Sequence, residues 1–215
     1  MRLTVTKTIL LFFTTSLLVL VSCQKEVDFQ DGTQGGGSGG GGNSTQNIAG
    51  DYDFLGMTAH TVSTVTANVG GDQLKTVTTS DYVTKANTGT VKITSNQFIT
   101  TNMSYSIDTM MNAKTYINGA LFDDSNVPFQ ANLPPTSSTS DYVRINADSI
   151  TVTGSFGAPN PSGQAPTGPV GVKLSWSGDT LLMKVNTTIT QTIVQQGIPA
   201  QLVGTVNGVT KLKKR

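Results

Sequence analysis

The sequence predicts an all-β fold of antiparallel strands, closed as an up-and-down barrel or, as the alternative, stacked as a two-sheet sandwich. Three observations lead to this fold class. Threonine is the commonest residue in the chain of 215, which also has 23 glycines and only 13% charged residues, and β-branched side chains fit a pleated sheet better than a helix. Apolar and polar residues alternate with a period of two. Turn-forming residues separate the alternating segments.

The alternation runs through the chain after residue 48, and no segment has a convincing helical period. Strands with one buried and one solvent-exposed face, as in antiparallel sheets, have this pattern. The longest run extends from Leu181 to Ile193. The positions expected to face the core are Val91 and Ile93; Met103, Tyr105 and Ile107; Val143, Ile145 and Ala147; Ile150, Val152, Gly154 and Phe156; Val172, Leu174 and Trp176; and Leu181, Met183, Val185, Ile189 and Ile193.

Glycine, proline and serine mark the connections between these strands. Ser177-Gly178-Asp179 predicts a tight turn, and Asn207-Gly208 predicts a β-hairpin, because Asn-Gly is the strongest short hairpin signal. The segments Phe122–Tyr142 and Gly157–Val170 are rich in proline, glycine and serine, so they are predicted to be long loops. About eight to ten strands fit the remaining sequence, which suits a small barrel or a sandwich.

Residues 1–22 have the features of a secretory signal peptide. Arg2 and Lys7 form a positive start, and an apolar segment follows from Thr8 to Val21. Leu20-Val21-Ser22-Cys23 comes next and resembles the lipobox of bacterial lipoproteins. The resemblance implies cleavage between Ser22 and Cys23, and a diacylglyceryl group on the sulfur of Cys23, with palmitate-type acyl chains that hold the protein to a membrane.

The residues after Cys23 predict how the folded domain is displayed. Gln24–Asp28 resembles the short charged signal that sends some Bacteroidota lipoproteins to the cell surface, which implies an outer-membrane location, with the periplasmic face as the alternative. Residues 23–47 include a glycine-serine tract that predicts a flexible linker. No strand precedes this tract and no Lys-Ser/Thr follows it, so it is not a phosphate-binding loop. Residues 48–215 form the predicted folded domain.

The first residues of that domain favour the barrel. Gly50-Asp51-Tyr52 leads into the first predicted strand and resembles the Gly-x-aromatic start of lipocalin-like domains, with Tyr52 in place of their usual tryptophan. The resemblance implies a closed antiparallel barrel that can enclose a cavity. The other lipocalin motifs have no counterpart that we identify in this sequence.

Charge and residue types exclude most chemistry. A net charge of +1 without a basic stripe argues against nucleic-acid binding. Cys23 is the only cysteine, so the domain has no disulfide, and His60 is the only histidine, so a zinc site lacks ligands. The aspartate pairs 51/53 and 123/124 are typical of solvated turns rather than of a catalytic carboxylate pair. The sequence therefore predicts neither an enzyme nor a cofactor.

Three Asp-Ser/Thr-apolar triplets resemble the acceptor motif for O-glycosylation in Bacteroidota. They place candidate modification sites at Thr109, Ser149 and Thr180. The same dipeptides are ordinary turn residues, so the turn interpretation stands beside the modification. The basic C-terminal cluster, from Lys211 to Arg215, is interpreted as a solvated tail or a charged strand end.

The expected function is that of a lipid-anchored, non-enzymatic cell-envelope protein that binds a small or apolar ligand or acts as an accessory surface protein. The alternative is a β-sandwich module for adhesion or glycan binding. A cavity lined by the apolar strand positions favours the first function. An exposed row of aromatic side chains favours the second.

Overall fold

The computed structural model describes residues 47–153, 168–195 and 197–215. The predicted signal peptide, Cys23, nearly all of the linker and most of the predicted loop Gly157–Val170 lie outside this part of the chain. The described residues form nine strands and no helix, so no helix among them could cross a membrane. The strands are β1 (Gly50–Val69), β2 (Asp72–Val83), β3 (Lys85–Ile93), β4 (Gln97–Ile117), β5 (Ala120–Arg144), β6 (Ser149–Thr153), β7 (Val170–Ser177), β8 (Thr180–Gln195) and β9 (Ile198–Lys214).

All nine strands belong to one antiparallel sheet that closes on itself in a ring. Strands that follow one another from β3 to β9 are neighbours, and β9 pairs with β1 over almost its whole length. β2 and β3 lie one after the other along the same side of β1, with β3 beside Gly50–Asp53 and β2 beside residues 58–69. The predicted antiparallel, up-and-down order is therefore confirmed, and the strands form one sheet rather than the two of a sandwich.

The ring is complete in only one half of the molecule. In this closed half, β3, β6 and β7 take part, and every strand has a neighbour on both sides. Beyond these three short strands, the long ones continue as a six-stranded open half in the order β5–β4–β2–β1–β9–β8. The 20 residues of β1 span about 66 Å at a rise of about 3.3 Å per residue.

The main hydrophobic core fills the closed half, and its residues follow the predicted alternation. Tyr52 is fully buried, and its hydroxyl donates a hydrogen bond of 2.6 Å to the carbonyl of Ile48, which is also buried. Trp176 packs against this core, as predicted, with its ring centroid 6.3 Å from that of Tyr52. The largest fully buried side chains elsewhere in the closed half are Val91, Ile93, Phe98, Ile150, Val152, Leu181, Met183 and Leu212.

The prediction of a long loop at Phe122–Tyr142 is wrong, because this segment is most of β5. β5 pairs with β4 from Ala120 to Asp141, and the register shifts beside Pro134 and Pro135 absorb the irregular residues. Most side chains of β5 are exposed on both faces of the strand. A strand with two exposed faces shows no apolar alternation, and its serines and prolines therefore resemble a loop in the sequence.

Two further predictions are wrong. Asn207-Gly208 lies inside β9 rather than in a hairpin turn, and Gly208 lies against Ala59 and Thr58 of β1, where a Cβ atom would come within 3.4 Å of a carbonyl oxygen. Val143 and Ile145, both predicted to face the core, are 63% and 62% exposed, because the buried residue here is Tyr142. The predicted turn at Ser177-Gly178-Asp179 joins β7 to β8 and is confirmed.

Candidate functional site: a groove on the outer wall

The wall of the sheet is interrupted where the closed half meets the open half. The pairing of β2 with β4 ends at Ser80 and Met111, and the pairing of β3 with β4 begins at Lys85 and Ser106. The residues between these pairs are not joined by the ladder. Instead, the hydroxyl of Thr109 donates a hydrogen bond of 2.7 Å to the carbonyl of Asp81.

A local backbone kink causes this interruption. β1 changes register between Phe54 and Gly56, and Gly56 has φ of 128°, which favours glycine. The amide of Met57 donates to the hydroxyl of Thr84 at 2.8 Å, and the amide of Thr84 donates back to the carbonyl of Met57 at 2.9 Å. The side chain of Asn87 donates to the carbonyl of Leu55 at 2.9 Å. These bonds fix the junction between β2 and β3 against β1.

A groove with a volume of about 710 Å³ lies on the outer surface at this interruption. Most of its lining residues are polar, but more of its exposed lining surface is apolar than polar, and Val83, which is 62% exposed, contributes to the apolar part. The charged and amide side chains that line it are His60, Asp81, Lys85, Asp108 and Asn207.

Two polar pairs join the charged side chains of the groove: Lys85–Asp108 is an ion pair, and His60–Asp81 is a hydrogen-bonded pair that becomes ionic only when the histidine is protonated. The Nδ1 atom of His60 lies 2.8 Å from Oδ1 of Asp81 and donates to it, which leaves Nε2 free of that contact. The Nζ atom of Lys85 lies 3.6 Å from Oδ2 of Asp108. All four side chains are at least half exposed, so each pair contributes about 0–1 kcal/mol to stability. The pairs therefore do little for the fold, and their polar atoms are accessible to a ligand.

The register of the sheet extends these side chains into a band across the outer face. Asp81 lies opposite His60, His60 lies opposite Asn207, and Asn207 lies opposite Asn186. On the other side of the interruption, the amide of Gln130 donates to Asp108 at 3.4 Å. We call this set the polar belt. It consists of one exposed side chain from each of seven neighbouring strands: Asn186, Asn207, His60, Asp81, Lys85, Asp108 and Gln130.

Of the three predicted glycosylation sites, only Thr109 lies at the groove, and its hydroxyl is bonded to Asp81. Ser149 and Thr180 are the first residues of β6 and β8, at the far end of the closed half. The hydroxyl of Ser149 donates to Asn146 at 2.6 Å, and that of Thr180 lies 3.3 Å from Asp179. The structure therefore does not bring the three sites together. Cys23 and Ser22 lie outside the described residues.

The other charged groups singled out in the sequence make local contacts. Asp53 accepts a hydrogen bond of 2.8 Å from Arg215, and Lys213 lies 3.7 Å from Asp179, so the basic C-terminus belongs to a strand end. Hydrogen bonds from Asn112 and Lys114 hold the pKa of Asp124 below its usual range. Within the described ranges, no three histidine, cysteine or acidic side chains are grouped so as to hold a metal ion.

The sequence did not reveal the groove or the polar belt. Residues of the belt are separated by as many as 147 positions in the sequence, as His60 and Asn207 are, and only the strand register brings them into line. The one signal in the sequence was a solitary histidine at a polar position of an alternating segment. Comparison of the chain with protein-family models, with curated proteins and with solved structures finds no match.

Proposed function

We propose that the chain is a lipid-anchored, non-enzymatic protein of the bacterial cell envelope, held to the outer membrane through Cys23, that binds a small ligand in the groove. The observation that carries the proposal is the polar belt crossing an open groove. Its amide, imidazole and carboxylate groups hold hydrogen-bond donors and acceptors at fixed positions on a rigid sheet, which is what orients a small polar ligand.

The charges of the groove favour a neutral ligand. Each charged group of the groove already has a polar partner, Lys85 with Asp108 and Asp81 with His60, so a strongly charged molecule would have to displace one of these contacts. Hydroxyl groups of a ligand can exchange hydrogen bonds with Asn207, Asn186 and Gln130, while Val83 contacts an apolar face. This combination favours the glycan of the alternative expected function over a purely apolar ligand.

The same arrangement supports binding rather than catalysis. General acid–base catalysis of glycoside hydrolysis requires two carboxyl groups that flank one bond. In the groove, the carboxylates of Asp81 and Asp108 are each engaged by a basic side chain. The hydroxyl of Thr109, which lies beside them, donates to a backbone carbonyl and is not hydrogen-bonded to His60.

The tether would hold the groove clear of a membrane. The chain enters the sheet at Gly50, in the closed half, and His60 lies ten residues further along β1, which corresponds to about 33 Å. If the segment from residue 24 to residue 50 is the linker that its composition predicts, it would add an average reach of about 28 Å. A ligand in the extracellular medium would therefore reach the groove without contacting lipid headgroups.

Binding to an array of neutral oligosaccharides, measured with the protein purified from bacterial membranes, tests the ligand class. We expect Asn207→Ala and His60→Ala each to weaken binding about tenfold, because each removes a hydrogen bond worth about 1–1.5 kcal/mol. Thr188→Ala, on the same outer face but outside the polar belt, is the matched control and should bind normally. Unchanged binding by the two groove variants, or no saccharide binding at millimolar concentration, would contradict the proposed ligand.

Metabolic labelling with a palmitate analogue tests the anchor separately. The unaltered chain should incorporate the label and partition with membranes, because acyl chains on Cys23 hold it there. Cys23→Ala should remove both properties, whereas Ser22→Ala, which keeps a small residue before the cysteine, should retain them. Label on the Cys23→Ala chain would overturn the lipid anchor and leave the groove untouched.

A further inference from the structure

The second half of β8 forms a free edge of the sheet. β9 pairs with β8 from Thr180 to Gln195, whereas β7 pairs with it only as far as Val185. Among the described residues, no strand lies on the other side of β8 from Asn186 onward. This free edge, residues 186–195, belongs to the open half of the molecule.

The sequence of the free edge of β8 lacks the proline and charged residues that discourage sheet edges from pairing with other strands. Residues 186–195 read NTTITQTIVQ, without a proline or a charged residue and with seven β-branched residues. The opposite edge of the open half, β5, contains Pro128 and the charged Asp123 and Asp124. Proline and charge on an edge strand discourage pairing with another chain. The β5 edge is therefore protected, and the β8 edge is suited to pairing.

Pro199 shows which backbone groups of β8 are available. Pro199 lies opposite Val194 and has no N–H, so the pair of Val194 and Pro199 is the non-hydrogen-bonded kind. Hydrogen-bonded and non-hydrogen-bonded pairs alternate along an antiparallel ladder. Hence Thr188, Thr190, Thr192 and Val194 direct their N–H and C=O groups away from β9 and toward the free edge.

We propose that the free edge of β8 pairs with the same edge of a second copy of this chain, in antiparallel orientation, about a two-fold axis at Gln191. In this register Gln191 faces Gln191 of the partner subunit, and Ile189 faces Ile193 of the partner subunit. The hydrogen-bonded pairs are then Thr190 with Thr192 of the partner subunit and Thr188 with Val194 of the partner subunit, and the reverse of each. Because Gln191 lies at the middle of residues 187–195, this register uses all of the free edge except Asn186.

Two side chains favour this register. Nε2 of Gln191 and Oε1 of Gln195 are buried and make no hydrogen bond to the described residues, and an unsatisfied buried amide is costly. The two-fold axis brings the Gln191 amides of both copies together, where one amide can donate to the other. It also places Gln195 opposite the hydroxyl of Thr187 of the partner subunit. A small rotation of each amide toward the edge would satisfy both.

The antiparallel dimer separates the two tethers. Gln191 is level with Val65 of β1, since both pair with Leu202, and Gly50 lies 15 residues before Val65. Each Gly50 is thus about 50 Å from the two-fold axis, and the two are about 100 Å apart. Two anchored chains would pair either while lying along one membrane or across two membranes that face each other. This inference does not depend on the ligand proposed for the groove.

Site-specific cysteine cross-linking in intact bacteria tests the register. In Gln191→Cys the two sulfurs face each other across a non-hydrogen-bonded pair, with Cα atoms about 4.5 Å apart, within the range of a disulfide. We expect a covalent dimer under mild oxidation. Ile193→Cys should remain monomeric, because its two copies lie four residues apart along the edge, about 13 Å. Equal cross-linking of both variants, of neither, or of the unaltered chain would overturn the proposal.

Charge exchange tests the same interface without a covalent bond. The double variant Thr190→Lys with Thr192→Lys places like charges in opposing positions of the two copies. Sedimentation in detergent should show it to be a monomer. The double variant with glutamate at the same two positions should also be a monomer. Mixing the two should restore dimers, which misfolded proteins would not form. The matched control, Gln201→Lys with Thr205→Lys, places the charges one strand inward and should leave the dimer intact. A lysine variant that still dimerises would refute the interface.

Discussion

At the scale of single residues, Gly89 marks a point where two strands come too close for a side chain. Gly89 has φ of 103°, and a Cβ atom there would lie 2.6 Å from Cα of Met103 and 2.7 Å from the carbonyl oxygen of Asn102. The register of β3 and β4 shifts on either side of this contact. Because the obstructing atoms are backbone, neither strand can relax without losing ladder hydrogen bonds.

Gly89→Ala should therefore destabilise the protein by about 2–4 kcal/mol, from backbone strain and the clash with β4. Gly171→Ala is the control, because Gly171 is exposed on β7 and a Cβ atom there would meet no other described residue within 4 Å beyond its chain neighbours; it should change stability by less than about 0.5 kcal/mol. Urea unfolding followed by the fluorescence of Trp176, the only tryptophan, measures both. Similar midpoints for the two variants would contradict the argument.

At the scale of elements, the sequence predicts the strands that have one buried face. Val172 and Leu174 of β7, and Leu181 and Met183 of β8, are buried as their alternation predicts. β5 was not predicted because both of its faces are largely exposed, and its sequence therefore lacks the alternation of apolar and polar residues. The alternation of residues 143–147 misleads because the chain leaves β5 after Arg144, and the apolar Val143 is on the exposed face.

Connections between elements show a similar limit. Asn118 has φ of 51°. Its side chain accepts a hydrogen bond from the backbone amide of Gln73 and donates one to the carboxylate of Asp72. Asn118 therefore links the tip of the β4–β5 hairpin to the tip of the β1–β2 hairpin. Asn118-Gly119 is the Asn-Gly sequence that does form a hairpin turn, whereas Asn207-Gly208 continues a strand. The Asn-Gly dipeptide at 207–208 does not form a turn because Gly208 packs against Ala59, a residue distant in the sequence.

At the scale of the whole molecule, the ring and the groove follow from pairings between distant parts of the chain. Closure depends on β1 pairing with β9, whose partners Tyr52 and Lys214 lie at opposite ends of the folded chain. A sequence can predict that the strands are antiparallel and follow one another. The groove depends in addition on where one ladder stops, which is set by the kink at Gly56 and Thr84. Local patterns of residues do not encode that position.

The tyrosines of the closed half link the stability of the whole molecule to pH. Burial raises the pKa of Tyr52 to about 12, with a further contribution from Tyr142, and burial raises the pKa of Tyr105 to about 12. In the unfolded chain a tyrosine has a pKa of about 10. The folded protein therefore keeps these protons at a pH where the unfolded chain has lost them, and deprotonation favours unfolding.

Stability should thus be independent of these two groups below about pH 9 and should fall between about pH 10 and 12, by as much as about 1.4 kcal/mol per pH unit for each tyrosine. Urea midpoints at a series of pH values, with phenolate absorbance recorded in parallel, measure the effect. Tyr105→Phe removes one of the titrating groups and keeps the ring that packs 6.1 Å from Phe54. This variant should lose stability less steeply above pH 10 than the unaltered chain. Identical slopes would mean that Tyr105 ionises equally in the folded and unfolded states, and that its burial in the closed half does not control the alkaline transition.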